Sequence, residues 1–430
     1  MNPRIEWARA LLESDGSVLN LASRPDQDAV TDWVESGVVA LTGRRSGPPL
    51  IPPGLAASAS IGAELTFGVL ADRAGLPVPP RDWHRMLSER ARFTGWRRQA
   101  PWSLGGTCRA LRAADGWTVF NLARSEDVDL VPALVCGAAV KTSRQAWQAI
   151  ARWLTRTTAA EAVARARLLG LPCGQLPPPG QWAGRDDLVA GFATSPVRTT
   201  AIADGQPPPR GRPPLVVDLS ALWAGPLCAN LLGQTGGRVI KVESTRRLDA
   251  ARFGHRGFYN QLHRGHESVV VDFQSTAGRG LVAGLLERAD IVIESSRPHA
   301  LPSLGFDPVG VCRRSTTTWV GITAYGRTPD SADRVGFGDD VAMAAGLYAS
   351  DVASGTPVPC GDAIADPLAG MHAAVAALSA YIRGGSSLLD VSMCDIAAAT
   401  VAARPARPAR AQTAIRHDND GPSLTRCWRK

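Results

Sequence analysis

The stretch LVVDLSALWAGPLCANLLGQTGGRVIKVE, residues 215–243, begins and ends with short β-branched runs. Between them, a Gly-Pro loop leads into GPLCANLLGQTG, where apolar residues recur at helical spacing. The stretch therefore predicts a strand, a helix and a second strand, which is the repeating unit of α/β domains with mainly parallel sheets.

Three further β-branched runs extend this pattern: SVVVDF (268–273), DIVIE (290–294) and TWVGIT (318–323). The helical segment STAGRGLVAGLLERA lies between the first two of them. We expect an α/β fold with a Rossmann-like, mostly parallel sheet and flanking helices. Ligands of such sheets bind beyond the carboxyl ends of the strands, so the loop DLSALWAGPL after the first strand is a candidate binding site.

The chain upstream of this region is predicted to be more helical, with its clearest strand in WTVFNLA (117–123). The Pro- and Gly-rich stretch ADGQPPPRGRPP cannot sustain a helix or a strand ladder. We therefore predict an N-terminal segment (residues 1–205), a linker (206–214), a C-terminal segment (215–400) and a disordered tail (401–430).

Composition indicates a globular protein that binds anions. The chain has 430 residues, 45% of them hydrophobic and 20% charged, and a formal net charge of +8 that comes from arginine, since it has only three lysines. Such a balance suits phosphate esters or nucleic acid. The arginines are scattered, which argues against nucleic acid as the partner.

Cysteine spacing and hydropathy indicate in which cellular compartment the protein is expected. The eight cysteines form no CxxC pair and share no metal-ligand spacing with the seven histidines, so we expect reduced thiols and no metal. The first residues, MNPRIEWARALLESDG, lack the apolar core of a signal peptide, and no run is long enough to span a bilayer. These features predict a cytoplasmic protein without a membrane partner.

Residues 37–62 and 346–370 share a pattern of a small-Gly pair, a Gly- and Pro-rich loop and the start of an alanine-rich helix. We interpret this as an internal repeat, with chance similarity in a Gly- and Ala-rich chain as the alternative. The second copy has Asp366 where the first has Ser58.

Two interpretations of Asp366 are open on local grounds. Asp followed by Pro is a favoured pair at a helix start, so Asp366 can be the N-cap of the helix that follows. A carboxylate there is also a competent nucleophile, because the helix dipole favours its ionised form and backbone N–H groups can stabilise an oxyanion.

The C-terminal segment resembles the family III CoA-transferases, the carnitine and bile-acid type. The resemblance is carried, in the family's order, by VVDLSALWAGPLCANLLGQTGGRVIKVE, LDAAR, FYNQLHRGHESVVVDF, ERADIVIESSRPHALPSLGFD, GFGDDVAMAAGLYAS and IADPLAGMHAAVAALSAY. The N-terminal segment is similar to the later part of the same family domain, in the repeat, in DGWTVFNLA and in the helix that ends in LGLPCG. The chain thus resembles a back half followed by a front half.

The resemblance implies transfer of CoA between carboxylic acids, with coenzyme A bound as an acyl-CoA thioester. The family's nucleophilic carboxylate, which forms a mixed anhydride with the acyl group, falls on Asp366. Family members form interlocked dimers, so a homodimer is expected. Acyl-CoA and small carboxylic acids are the expected partners.

The resemblance also nominates CoA contacts. Arg252 occupies the family's motif arginine and is the first choice for a CoA phosphate, while Arg264 and Arg297 are further candidates. Trp223 could cover the adenine or pantetheine, with plain packing as the alternative. Ser295 and Ser296 replace the family's Asn-Phe pair.

Two departures keep other functions open. The family's Asn-Arg-Gly-Lys run reads HRGH (263–266) here, and His266 could replace the lysine only when protonated. A racemase branch uses a histidine where this chain has Phe337, which cannot carry a proton, so racemisation of 2-methylacyl-CoA is disfavoured. Asp339 and Asp340 are interpreted as loop or cap residues. A catalytically inactive CoA-binding or structural relative is the remaining alternative.

Overall fold

The structure is a computed structural model that describes residues 2–13, 28–80, 82–184 and 195–403. The predicted disordered tail falls almost wholly outside these ranges. The N-terminal segment consists of short helices, a small sheet and one further strand. In chain order these are α1 (Pro3–Glu13), α2 (Ala29–Glu35), α3 (Ala56–Ala74), α4 (Glu89–Thr94), β1 (Cys108–Arg112), β2 (Trp117–Asn121), α5 (Ser125–Val135), α6 (Ser143–Leu154), α7 (Ala159–Leu168), β3 (Cys173–Gln175) and β4 (Arg198–Ala203).

The C-terminal segment alternates strands and helices, as the sequence predicts. Its elements are β5 (Leu215–Asp218), α8 (Ala224–Gly233), β6 (Arg238–Ser244), α9 (Arg256–Leu262), β7 (Glu267–Val271), α10 (Thr276–Arg288), β8 (Ile291–Glu294), α11 (Ala300–Ser303), α12 (Pro308–Arg314), β9 (Thr318–Thr323), α13 (Gly338–Ala344), β10 (Ala349–Ser350), β11 (Pro357–Val358), α14 (Ala365–Arg383), β12 (Ser386–Ser392) and α15 (Met393–Ala402). Short 3-10 helices lie at Val38–Leu41, Trp83–Ser88 and Ala250–Phe253.

The main sheet has seven strands in the order β4-β12-β9-β8-β5-β6-β7. All neighbouring pairs are parallel except β4 with β12, which is antiparallel. The six parallel strands follow the order 3-2-1-4-5-6 of a Rossmann fold, in which the strand order reverses between β5 and β8. The expected α/β fold class is confirmed.

Buried residues on both faces explain why these strands read as continuous apolar runs. Val216 and Val320 pack in the core that contains α8 and α14. Their neighbours Val217 and Trp319 point to the opposite face and pack with residues of α10 and α12. The sheet is therefore a central layer between two layers of helices.

The N-terminal segment shares the largest core with the C-terminal one. Phe67 and Leu70 of α3 belong to the same buried cluster as Leu368 of α14. Strand β4 also completes the edge of the main sheet. The boundary at 206–214 stays a prediction, but the segments on its two sides are not packed as separate bodies.

A second, smaller core lies in the N-terminal segment, where the antiparallel sheet β1-β2-β3 packs against α5, α6 and α7. The two helices of the predicted repeat, α3 and α14, have the same length of 19 residues. Among the described helices, none combines the length and apolarity needed to cross a membrane.

Candidate functional site

The loop after β5 is held in place by a buried lysine. Lys241 of β6 is 1% exposed, and its ammonium donates to the Ser220 carbonyl. The same ammonium lies 3.2 Å from Asp249 Oδ2 and 3.4 Å from Asp218 Oδ2. A buried cation between two buried carboxylates makes this loop a rigid feature at the carboxyl edge of the sheet.

Two further hydrogen bonds fix the backbone of this loop. Ser295, just after β8, accepts from the Ala221 N–H at 3.0 Å, and Asp249 Oδ1 accepts from the Leu222 N–H at 3.0 Å. Leu222 has φ +70°, a left-handed conformation that a leucine rarely adopts without such support. The loop therefore has one defined conformation beside the point between β5 and β8 where the strand order reverses.

Asp366 lies in the first turn of α14, whose N-cap residue is Ile364. No side chain caps this helix start, so the interpretation of Asp366 as the N-cap is wrong. The reason is a tight turn before the helix, in which the Asp366 N–H already bonds to the Ala363 carbonyl at 2.9 Å. The carboxylate is then free to turn away from the helix backbone.

The Asp366 carboxylate points to the start of α13. The backbone N–H of Gly338 interacts with it, and a Cβ on Gly338 would overlap both Asp366 Oδ2 and the Ala363 carbonyl oxygen. Glycine is thus required at 338 for this close approach. Asp366 lies where the starts of two helices meet, which favours negative charge.

Asp339 and Asp362 face Asp366, and Asp340 follows Asp339 in α13. Asp339 (9% exposed), Asp340 (0%) and Asp362 (1%) are buried, whereas the side chain of Asp366 retains partial exposure to solvent. Removal from water raises the pKa of Asp366 to about 7, and Asp339 and Asp362 raise it too while Arg90 opposes them. Burial likewise raises the pKa of Asp339 to about 6 and that of Asp340 to about 7.

Arg90 of α4 brings a positive charge from the N-terminal segment to this cluster. Its Nε donates to Asp362 Oδ2 at 2.9 Å, and a terminal nitrogen bonds to Asp362 Oδ1. The guanidinium lies 4.8 Å from the ring centroid of Trp223 and 5.3 Å from that of Trp96. Burial opposes its charge, but Asp362, Asp339 and Asp366 together raise the pKa of Arg90.

Trp223 is 1% exposed and packs edge-on against Phe258. Together with its contact to Arg90, this brings Trp223 next to the carboxylates around Asp366. Its indole N–H is buried and finds no acceptor among the described residues. Trp223 therefore contributes to the wall of the acid cluster.

The nominated arginines differ in how much of their charge is free. Arg252 makes a two-pronged ion pair with Glu243 and lies over the Tyr259 ring. Arg264 and Arg297 are exposed, and no ion pair to either is found within the described ranges. Among the arginines nominated from the sequence, these two have guanidinium groups available to a phosphate.

Ser295 and Ser296 serve the protein's own hydrogen bonding. Ser295 holds the loop after β5, as described above, and the Ser296 hydroxyl donates to Glu294 Oε2 at 2.6 Å. The Glu294 carboxylate also binds Arg327 and the Trp319 indole. Both serines lie at the carboxyl edge of the sheet, beside Arg297.

His266 does not replace the missing lysine as a cation. Burial lowers the pKa of His266 and brings that of His263 to about 4, so both rings are neutral near pH 7. Their Nδ1 atoms face each other at 3.3 Å. The positive charge expected in this part of the family pattern is absent at His266.

The position that corresponds to Asp366 in the first repeat copy is closed. Ser58 is 1% exposed and donates to Asp32, whose other oxygen is bound by Arg4. These three side chains are buried and satisfy one another. Ser58 is part of a structural network, in keeping with a copy that retained its helix without the acid.

The residues around Phe337 show how helix α13 begins. Asp340 Oδ1 accepts from the Phe337 N–H at 3.0 Å and from the Asn121 side chain at 2.9 Å. Asp339 Oδ1 accepts from the Ala363 N–H at 2.9 Å. The interpretation of Asp339 and Asp340 as loop or cap residues agrees with these contacts.

Sequence reasoning missed Arg90, Asn121 and Asp362, which complete the cluster. Arg90 and Asn121 lie more than two hundred residues before Asp366 and carry no local motif. The predicted repeat gives no signal for Arg90 and Asn121, since both lie outside residues 37–62 and 346–370. Within the described ranges, no group of His, Cys, Asp and Glu side chains is arranged to hold a metal ion.

The C-terminal segment matches a known protein family. Residues 214–427 match the sequence model described as CoA-transferase family III. An acyl-CoA transferase from Fusarium pseudograminearum is 30% identical over 41% of this chain and 44% of its own length. A succinate–glutarate CoA-transferase from Agrobacterium fabrum is 28% identical over 45% of this chain and 54% of its own.

Other matches differ in extent. A probable CoA-transferase from Mycobacterium tuberculosis is 25% identical over 85% of this chain and 58% of its own, so that match includes both segments. A solved CAIB/BAIF family protein from Brucella suis has 28% identity and a TM-score of 0.40, covering 43% of this chain and 53% of its own. The chain spans about half the length of the curated relatives it matches.

Proposed function

The chain belongs to CoA-transferase family III, and we propose that it moves CoA between an acyl-CoA thioester and a carboxylic acid with Asp366 as the nucleophile. The observation that carries this proposal is the contrast within the acid cluster. Asp339, Asp340 and Asp362 are buried and hydrogen-bonded to the protein, whereas Asp366 keeps solvent access and faces a backbone N–H.

The pKa of Asp366 suits this role. A carboxylate with a pKa of about 7 is mainly ionised above neutral pH and is a stronger nucleophile than one with an ordinary pKa. Arg90 favours the ionised form, and the neighbouring acids disfavour it. The balance gives a reactive carboxylate of which a large fraction is ionised at physiological pH.

The reaction proceeds by exchange at two carbonyl carbons. Asp366 attacks the acyl thioester, and the C–S bond breaks. The CoA thiolate departs, and an acyl-aspartyl anhydride forms. The thiolate then attacks the Asp366 carbonyl, which forms an aspartyl thioester and releases the first acid. The second acid attacks this thioester, whose C–S bond breaks to give a second mixed anhydride and free CoA thiolate. The thiolate then attacks the carbonyl carbon of the second acid in that anhydride, which forms the product acyl-CoA and releases the Asp366 carboxylate.

The chain's own groups fit the charges that develop. The Gly338 N–H and the starts of α13 and α14 can stabilise the oxyanion formed at the Asp366 carbonyl. The exposed guanidinium groups of Arg297, which follows the carboxyl end of β8, and of Arg264, which lies just before β7, are the candidates for CoA phosphates. Phe337, at the position of the racemase histidine, cannot transfer a proton, which supports transfer over racemisation.

The remaining expectations belong to this proposal as well. Small carboxylic acids and their CoA thioesters are the expected substrates, in line with relatives named for succinate and glutarate. A homodimer and a cytoplasmic location stay predictions.

The deciding experiment is Asp366→Asn, assayed with a panel of acyl-CoAs and free acids by mass spectrometry of the products. We expect wild type to form a new acyl-CoA and the variant to lose this activity. Asparagine has nearly the same shape and removes a charge that burial disfavours, so the variant should be at least as stable as wild type at pH 8.

Trapping adds a second measurement. Hydroxylamine added during turnover should convert Asp366 of wild type into a hydroxamate, which intact-protein and peptide mass spectrometry detect. Ser58→Ala is the matched control in the other repeat copy and should keep transfer activity. Full activity of Asp366→Asn would show that another group is the nucleophile.

A further inference from the structure

The turn that presents Asp366 has an unfavourable backbone. Gly361 has φ +67° and Ala363 has φ +43°, both in the left-handed region. An alanine in this region costs roughly 1 kcal/mol or more, so the turn needs contacts from outside to persist. Its end is the Asp366 N–H, bonded to the Ala363 carbonyl at 2.9 Å.

Three contacts hold this turn, and two of them come from the N-terminal segment. Thr42 Oγ1 accepts from the Gly361 N–H at 3.0 Å, and Asp339 Oδ1 accepts from the Ala363 N–H at 2.9 Å. Between these two, Arg90 binds both oxygens of Asp362. Each residue of the turn from 361 to 363 is therefore tied to another part of the protein.

Arg90 is itself held firmly. Its guanidinium lies over the rings of Trp223 and Trp96, and its two nitrogens bond to the two Asp362 oxygens. A lysine could supply the charge but neither the second hydrogen bond nor the planar stacking. The arginine thus sets the position of Asp362 as well as neutralising it.

We infer that Arg90 is a positioning residue for Asp366: by clamping Asp362 it fixes the strained turn that aims the Asp366 carboxylate at Gly338. The inference rests on the proposed function, since it deepens the role of the same site. It also gives the N-terminal segment a part in the reaction, because this segment supplies a clamp that the C-terminal segment lacks.

Loss of Arg90 changes both geometry and charge. The groups that face Asp366 are Arg90, Asp339 and Asp362, and Arg90 is the one that lowers its pKa. Without Arg90, the remaining acids and burial raise the pKa of Asp366, so the carboxylate ionises at higher pH. The pH at which kcat rises should therefore be higher without Arg90.

The test compares Arg90→Met and Arg90→Lys with Arg44→Met. Arg44 also joins the two segments through a two-pronged ion pair at 2.9 Å for each contact, but its partner is Asp351 rather than a residue of the turn, and the pair is partly exposed. Hydrogen exchange by mass spectrometry reports on the amides of residues 360–366, and the pH dependence of kcat reports on Asp366.

We expect Arg90→Met to exchange these amides at least tenfold faster, to lower kcat at least a hundredfold with little change in KM, and to shift the acid limb of kcat upward. Arg90→Lys should leave the acid limb near that of wild type while exchange in the turn remains faster. Arg44→Met should match wild type in both measurements.

Wild-type exchange in the turn together with an unmoved acid limb in Arg90→Met would overturn the inference. If both Arg90 variants fail to fold, Asp362→Asn weakens the same clamp from the other end, and unchanged exchange in that variant would overturn it as well. Should wild type transfer no CoA at all, the proposed function fails, and hydrogen exchange alone then decides the clamp.

Discussion

Asp340 provides the sharpest stability prediction of the acid cluster. Its side chain is 0% exposed, and Oδ1 accepts from Asn121 and Phe337 while Oδ2 has no hydrogen-bond partner among the described residues. Burial raises its pKa to about 7, so the folded protein keeps a proton that the unfolded chain releases near pH 4. Asp340→Asn keeps the accepting oxygen and can never ionise.

The sign and size follow from this difference in proton binding. Between pH 4 and pH 7 the folded state binds more protons, so the contribution of Asp340 to stability falls as pH rises and levels off above about pH 7. The folded pKa lies about 2 pH units above pH 5, and each pH unit changes the free energy of unfolding by about 1.36 kcal/mol per proton. The free energy of unfolding should therefore lose roughly 2 to 3 kcal/mol from this group between pH 5 and pH 8.

Urea unfolding at pH 5 and pH 8 measures the effect. We expect Asp340→Asn to be more stable relative to wild type at pH 8 than at pH 5, by roughly 2 to 3 kcal/mol. Asp330→Asn, at an exposed position, is the matched control and should give no such pH-dependent difference. Parallel pH dependence of wild type and Asp340→Asn would refute a raised pKa at Asp340.

Two further predictions concern the site. Gly338→Ala should lower transfer activity at least a hundredfold, because its Cβ would overlap Asp366 Oδ2. The control Gly280→Ala, in α10 with open space around it, should keep activity and gain up to about 1 kcal/mol in stability. Arg264→Ala and Arg297→Ala should each weaken CoA binding about tenfold by calorimetry, whereas Arg238→Ala, whose exposed partner is Glu267, should leave it unchanged. Unaltered kinetics in Gly338→Ala, or unaltered affinity in both arginine variants, would contradict these assignments.

The parallel sheet could be predicted from sequence because its central strands β5, β8 and β9 are largely buried and read as apolar runs. The observed β5, β8 and β9 agree closely with LVVD, DIVIE and TWVGIT. Strand β4 was not predicted, because it is a mostly exposed edge strand that acquires its pairing only from β12.

Local sequence could not assign Asp366 correctly as a helix residue. The Asp-Pro pair predicts an N-cap, but the left-handed turn at Ala363 lets α14 begin two residues earlier, at Ala365. That turn depends on Arg90 and Thr42, which are remote in sequence. Motif order nominates Asp366 as the nucleophile, whereas the groups that set its pKa and direction come from tertiary packing.

The shared core leads to a last prediction about the two segments. Helix α14 packs on α8 of its own segment and on α3 of the other, within one buried cluster. Removing residues 1–204 would expose that apolar face of α14, leave β12 without β4 and leave Asp362 without Arg90. Exposing a fully buried apolar side chain costs roughly 1.5 to 3 kcal/mol, so the loss of several such contacts is comparable to the whole stability of a domain. We therefore expect residues 205–430 expressed alone to lack a cooperative unfolding transition. Coexpression with residues 1–204 as a separate chain should restore a folded complex. Cooperative unfolding of the isolated 205–430 chain at the wild-type temperature would show instead that the linker at 206–214 separates two independent domains.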